Sequence, residues 1–379
     1  MANGKASGKA SEWEHWKAQL RELEAAEDLI NLAEERRDES LVPHRELAEA
    51  LQRIEPAGSR KNRKAAEDGM TSAALLLAAD GRDAADRVFG SLIAEGDPVL
   101  VEGPSDPELL EALRRAGAAV LQVESGEAGS AAVTLERAGA GVKPKLAVLA
   151  PGAGISGAGG GSAALLEAAA RLGVTVVVYN GPGLPWRGSS APERAALLQG
   201  PRSGASGVIE IGSMEPHLPP LGWVRAAGTG AEALAQAGCA APAPGSEQVL
   251  LHLLAGAAGF SPAAYETRLR REYAARRGLM LSKLSGPSWR GTAVLPSGDR
   301  HLWLRLPAGL SGTALLRAAL LEGAAFLPGP LAFAEPPEAA DRLIRLTCTG
   351  YGSSRLAEGL DRIAAALSAF TARLDQGGD

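Results

Sequence analysis

Trp13, Trp16, Leu20 and Leu23 recur three and four positions apart, the spacing that gathers apolar side chains on one face of a helix. An amphipathic helix is therefore predicted over about 12–29, behind a polar stretch at 1–12 that reads as a flexible tail. From about residue 71 to 226, short apolar runs alternate with helical patterns. Strands are predicted at 98–102 (PVLVE), 119–123, 145–150 (KLAVLA), 174–179 (VTVVVY), 208–211 and 222–226, with helices at 107–116 and 162–172. Gly173 suits the position after the second helix. The nearly continuous apolar run at 174–179 is what a strand covered on both faces shows. Repeated strand–helix alternation predicts an α/β fold, a mostly parallel sheet with helices on both faces. After residue 259 the pattern changes. Ser261 and Pro262 form an N-cap and first-turn pair that opens a long arginine-rich helix to about 284. A strand at 301–306 (HLWLRL), a helix at 313–322 and a strand at 343–347 follow. Last comes a helix with Leu356, Leu360, Ile363, Leu367, Phe370 and Leu374 on one stripe. These predict a smaller α+β domain.

Composition adds exclusions. The 379 residues are 46% hydrophobic and 22% charged, a globular balance long enough for two domains. With 47 glycines and much alanine, any glycine motif is less specific here than usual. A formal net charge of −5 argues against a nucleic-acid partner. No apolar run reaches membrane-spanning length, the first ten residues lack the apolar centre of a secretory signal, and a cytoplasmic protein is expected. Cys239 and Cys348 match no disulfide or metal spacing, and the five histidines are scattered, so no metal is expected.

Four stretches, in order, carry a family resemblance. Residues 31–51 (NLAEERRDESLVPHRELAEAL) lead through P-x-x-x-L into a helix, and 95–118 (EGDPVLVEGPSDPELLEALRRAGA) resemble PGD-x-V-x-V-E-x-P-x-Y. Residues 269–284 (LRREYAARRGLMLSKL) resemble R-x-x-Y-x-x-R-R-x-x-L. Residues 302–309 (LWLRLPAG), with a looser match at 345–363, resemble L-W-L-x-L-P-x-G and its sequel. Over roughly 30–372 the chain resembles the fold-type-I pyridoxal-phosphate-dependent aminotransferases, especially the aminotransferase-like half of MocR-type regulators. The resemblance implies a PLP-dependent transferase-like large domain at 56–258. It also implies a small domain from 259–379, joined by 30–55, with 1–29 as tail and first helix. A dimer, with itself or with an aminotransferase-like subunit, is implied as well.

That chemistry requires a lysine for the Schiff base, an acid on the pyridine nitrogen and a phosphate cradle. Residues 208–224 (VIEIGSMEPHLPPLGWV) match the family's G-S-x-S-K and G-W-V at Gly212, Ser213 and 222–224, but Pro216 stands at the lysine, and no lysine occurs between Lys145 and Lys283. Tyr179 and Asn180 replace the acid. The stretch 151–160 (PGAGISGAGG) lacks the family's asparagine, Asp106 replaces the stacking aromatic, and 79–83 (ADGRD) replaces the Ser/Gly cradle. The residues of a vestigial cleft are then Pro216, Ser213, Tyr179, Asn180, Gly152, Gly154, Gly157 and Asp106, with no catalytic residue assigned and no cofactor expected. By the resemblance, Arg345 is the arginine that clamps a substrate carboxylate; a surface arginine at a strand end is the other reading.

Gly152, Gly154 and Gly157 also satisfy G-x-G-x-x-G after a strand, the dinucleotide fingerprint, but the next strand ends in Tyr179-Asn180 and not in an acid. The arginine run at 268–277 reads as a solvated helix face, and too little chain precedes residue 30 for a winged helix. The functional expectation is a non-catalytic partner subunit of an active homologue. Behind it stand a sensor of small carboxylates or amino acids, a cofactor-independent enzyme in the old cleft (Ser156, Ser213 and His217 are at hand), and an aminotransferase with an unrecognised lysine.

Overall fold

A computed structural model of the chain describes residues 11–26, 28–52, 74–124, 143–155, 162–182, 208–214, 216–227 and 259–376. In chain order the helices and strands are α1 (Glu12–Ala26), β1 (Ile30–Asn31), α2 (His44–Gln52), β2 (Ala74–Ala78), α3 (Gly81–Leu92), β3 (Pro98–Gly103), α4 (Pro107–Arg115), β4 (Ala119–Glu124) and β5 (Leu146–Leu149). Then come α5 (Ser162–Leu172), β6 (Thr175–Pro182), β7 (Val208–Ser213), β8 (Gly222–Ala227), α6 (Pro262–Leu284), β9 (Ala293–Leu295) and β10 (His301–Arg305). The chain closes with α7 (Gly312–Leu321), β11 (Ala324–Ala325), β12 (Leu327–Pro328), β13 (Leu343–Thr347) and α8 (Ser353–Gln376).

The large sheet runs β2-β8-β7-β6-β5-β3-β4. Its five strands from β7 to β4 are parallel, and β8 is antiparallel to both neighbours. Side chains alternate faces along a strand, which explains the apolar run at 174–179. Val177 packs with Val101, Ile209 and Ile211 under α3 and α4, whereas Val176 and Val178 pack with Leu100, Ala147 and Leu149 under α5. The helices start where their caps dictate. Asp106 accepts from Glu108 N–H at 2.8 Å with Pro107 in the first turn of α4, and Ser261 caps α6 ahead of Pro262.

The small sheet, β12-β13-β10-β9, is antiparallel. One of its faces, with Leu302, Leu304, Ile344 and Leu346, builds a core with α6, α7 and α8. β1 pairs in parallel with β11, the strand after α7. Ile30 and Leu32 are fully buried there.

Three differences from the sequence-based expectations matter. The strand predicted to end at 179 runs on to Pro182, so Tyr179 is not its last residue and Asn180 lies inside β6 as well. Residues 79–83, which replace the family's Ser/Gly phosphate-cradle turn in sequence, lead into a full helix, α3. The two-residue strands β1, β11 and β12 have no counterpart in the sequence pattern; such bridges leave no periodicity to read. Among the described residues no helix is long and apolar enough to cross a membrane.

Candidate functional site between the two sheets

The C-terminal ends of parallel strands are where an α/β sheet leaves a crevice, because the following loops splay apart there. Four of the predicted residues meet at that edge. β6 and β7 are neighbours with Tyr179 opposite Ile211 and Pro182 opposite Ser213, and Asn180 Nδ2 donates to Ile211 O at 3.4 Å. Pro216 follows β7 by a few residues, half-buried. Asp106 caps α4, the helix that follows β3. The loop after β5 brings Gly152 and Gly154; Gly157 lies outside the described residues.

The small sheet faces this edge with its second side. Arg345 sits in β13 directly opposite Trp303 of β10, so both side chains leave the sheet on the same face, and the guanidinium lies 6.0 Å from the Trp303 ring centroid. Trp303 Nε1 donates to Ala153 O at 2.8 Å. Ser105 N–H donates to Ala332 O at 2.9 Å, and Ala334 N–H to Gln122 Oε1 at 2.7 Å. These bonds hold the two sheets together around Arg345, which is only 4% exposed.

Arg345 is not the surface arginine of the alternative reading. Its Nη1 lies 3.8 Å from Asp106 Oδ2, an ion pair too long for a hydrogen bond, and neither Nε nor Nη1 has an acceptor among the described residues. A buried guanidinium left short of partners is costly, and it is the kind of group that an anionic ligand satisfies. Burial pushes its pKa down, against the pull of Asp106, Glu35 and Glu34; an arginine starts so high that it stays charged.

Around it lies a network that no sequence motif announces. Glu35 accepts from Arg300 Nη1 at 2.8 Å and meets His301 Nε2 at 3.1 Å. Burial pushes the Glu35 carboxyl up, but the Arg300 charge and the His301 and Arg300 hydrogen bonds outweigh it and hold the pKa at about 2. His301 is pushed down, by burial first and by the Arg345 charge second. Tyr179 is pushed well above the usual tyrosine value by burial and by the negative charges of Asp106, Glu108 and Glu35, so it keeps its proton. Beside them, Lys17 of α1 pairs with Glu108.

His217, a candidate without a role in the sequence, is structural. Asp38 N–H donates to its Nδ1 at 3.0 Å, and its Nε2 lies 2.8 Å from Tyr273 Oη. With both nitrogens committed and no exposure, it pins the turn after β7 to α6. Ser213 packs against the start of α3: a Cβ on Gly81 would lie 2.7 Å from Ser213 Cβ. Ser156 is outside the described residues.

The G-x-G of the 151–155 loop has a packing explanation. Gly152 has φ +83, which favours glycine, and its backbone crosses the β9–β10 turn so closely that a Cβ on Gly298 would fall 2.6 Å from Gly152 O. Ile155 packs with Trp303 and Leu343. The loop therefore faces the small sheet.

At the family's lysine position the sequence departs from the pattern. Pro216 offers no amine. The α3 N-terminus, a natural phosphate site, is taken by carboxylates: Asp80 Oδ1 accepts from Asp83 N–H at 2.8 Å and Asp83 Oδ2 from Ala79 N–H at 2.9 Å. Among the described residues no group of histidine, cysteine or acidic side chains is arranged to hold a metal ion.

No family model matches the chain. It is 30% identical over 317 residues to the 2-aminoadipate transaminase of Thermus thermophilus, covering 80% of this chain and 78% of that protein. Among solved structures it is similar to the α-aminoadipate aminotransferase of Thermus thermophilus, complexed with N-(5'-phosphopyridoxyl)-L-leucine. There the TM-score is 0.77 at 27% identity, covering 93% of this chain and 95% of that one. The kynurenine aminotransferase of Pyrococcus horikoshii matches at TM-score 0.78 and 19% identity over 98% and 97% of the two chains, a likeness of fold.

These matches correct three expectations. A non-catalytic partner subunit is overturned by the extent of the match to a named transaminase. The absence of an enzymatic role falls with it, since proline at 216 is a departure from the family pattern and does not show that catalysis is lost. The expectation of no cofactor, and of a pyridoxal-phosphate site lost outright, is overturned by the phosphopyridoxyl compound held by the α-aminoadipate aminotransferase.

Proposed function

The chain belongs to the fold-type-I, pyridoxal-phosphate-dependent aminotransferase family, and from that premise we propose that it is an aminotransferase acting on an amino acid or 2-oxo acid whose carboxylate Arg345 binds. The observation that carries this reading is the buried Arg345 guanidinium, with Nε and Nη1 unpartnered among the described residues, at the edge where the two sheets meet. A carboxylate oxygen placed against either nitrogen makes a charge-assisted hydrogen bond, and the Trp303 ring, 6.0 Å from the guanidinium, adds a cation–π contact.

The neighbouring side chains keep this arginine in place and charged. Glu35 and Asp106 give its surroundings negative charge, and Glu35, committed to Arg300 and His301, is not free to swing across and fill the carboxylate position. Tyr179, protonated at working pH, can donate a hydrogen bond from the large sheet. The Trp303–Ala153, Ser105–Ala332 and Gln122–Ala334 contacts close the sheets on each other and exclude water, which strengthens every ionic contact inside. A dimer, with itself or with a related subunit, stays part of this reading.

The named activity of the 2-aminoadipate relative sets the first substrate to try. With L-2-aminoadipate, 2-oxoglutarate and added pyridoxal phosphate, the purified chain should form 2-oxoadipate and glutamate, read by mass spectrometry. Arg345→Gln should lower kcat/KM by about a hundredfold, the loss expected for a buried charge-assisted contact. Absence of any 2-oxo acid product across 2-aminoadipate and the twenty common amino acids would sink the reading.

A further inference from the structure

Asp106 stands where the family carries an aromatic ring, and its two oxygens have different duties. Oδ1 accepts from Glu108 N–H and caps α4, so the carboxylate is fixed by the helix it starts. Oδ2 points at Arg345 Nη1 from 3.8 Å, close enough to feel the charge and too far to satisfy it. Across the gap between the large and small sheets there is thus one fixed negative oxygen beside one buried, under-partnered cation. The pair is an incomplete ion pair. Its geometry is complementary to a molecule with a carboxylate and a cation on the same or adjacent atoms.

Resting on the reading of Arg345 as the carboxylate site, we propose that Asp106 and Arg345 form a zwitterion clamp: Arg345 takes the α-carboxylate and Asp106 Oδ2 the α-ammonium of a free amino acid. The site then selects the amino acid over its 2-oxo acid at the binding step. An amino acid completes both half-made contacts. A 2-oxo acid completes only the first and presents a carbonyl oxygen, an acceptor, to a carboxylate, and that acceptor–acceptor mismatch disfavours it. A carboxylate without either group gains only the arginine contact.

Other charged or polar groups at this edge do not take over the role. Glu35 is already committed to Arg300 and His301, and Glu108 is paired with Lys17. Asn180 Nδ2 donates to Ile211 O. Among the described acids, Asp106 is the one that approaches Arg345 within 4 Å.

The test uses the full chain and three probes that differ only at C2: L-2-aminoadipate, 2-oxoadipate and hexanedioate, titrated by calorimetry without turnover partners. The wild type should bind the amino acid at least about tenfold more tightly than the other two, the effect of one charge-assisted hydrogen bond. In Asp106→Asn the three affinities should converge to within about threefold; asparagine caps a helix as well as aspartate does, so the fold is kept, and near-ultraviolet circular dichroism checks it. Arg345→Gln should bind none of the three. A wild type without preference, or an Asp106→Asn variant that keeps the preference, overturns the clamp while leaving Arg345 as carboxylate site. An Arg345→Gln variant that binds all three like the wild type overturns the carboxylate reading itself, and a wild type that binds none overturns both.

Discussion

His217 shows how far one residue's role depends on groups remote in sequence. Its Nδ1 accepts from Asp38, 179 residues away, and its Nε2 meets Tyr273. Burial pushes the imidazole down to about 4, with the Arg300 and Arg276 charges acting the same way and Asp38 opposing them. An unfolded histidine titrates near 6.5, so on acidification the unfolded chain takes up this proton first. Stability from this group is complete above pH 6.5 and is lost as pH falls from about 6.5 to about 4, by on the order of 3 kcal/mol. Chemical denaturation at half-unit pH steps should show that slope in the wild type and a flatter one in His217→Gln; equal slopes would remove His217 from the account. A family motif singles out Arg345 in the sequence, and Asp106 stands out as a departure from one. The partners Glu35, Arg300 and His301 are not legible there, because the ion pair of Glu35 and Arg300 spans 265 residues and neither side chain sits in a motif that names the other.

The elements most legible in the chain are those whose signal is local. β6 declares itself through VTVVV, α4 through Asp106-Pro107, and α6 through Ser261-Pro262. α3 does not: an alanine-rich start capped by Asp80 reads as a turn until the Val88 and Phe89 that bury it are counted in. The Gly-rich loop after β5 reads in sequence as a replaced cofactor loop or a nucleotide fingerprint, since sequence shows that glycine is needed and not which backbone comes close. Here the neighbour is the β9–β10 turn, where two main chains cross at Gly152 and Gly298. Gly298→Ala would force Cβ to 2.6 Å from Gly152 O and must push the crossing apart. A loss of about 1–3 kcal/mol is expected, the size of an overpacking effect, measured as a shift in urea midpoint. Because Trp303 bonds to Ala153 in the same loop, its fluorescence should change as well. An unchanged midpoint and spectrum would show that the crossing gives way freely.

At the scale of the whole molecule, α1 acts as a tie between the domains. Trp13 and Leu20 are buried in the small-domain core, Lys17 pairs with Glu108, and Glu14 lies 3.2 Å from Arg82 of α3. Leu20→Ala should cost about 2–5 kcal/mol, the usual range for a buried leucine; a change below about 0.5 kcal/mol would mean that the helix is not held by its apolar face. The same early part of the chain sets a problem of timing. Ile30 pairs with Ala324, and Ile30 and Leu32 are fully buried only once that partner exists. About 290 residues separate the two. At roughly 5–20 residues per second, a ribosome needs on the order of 15–60 seconds to make the missing strand. Throughout that interval the segment's backbone edge has no strand to pair with, so this part of the fold can close only when synthesis is nearly finished.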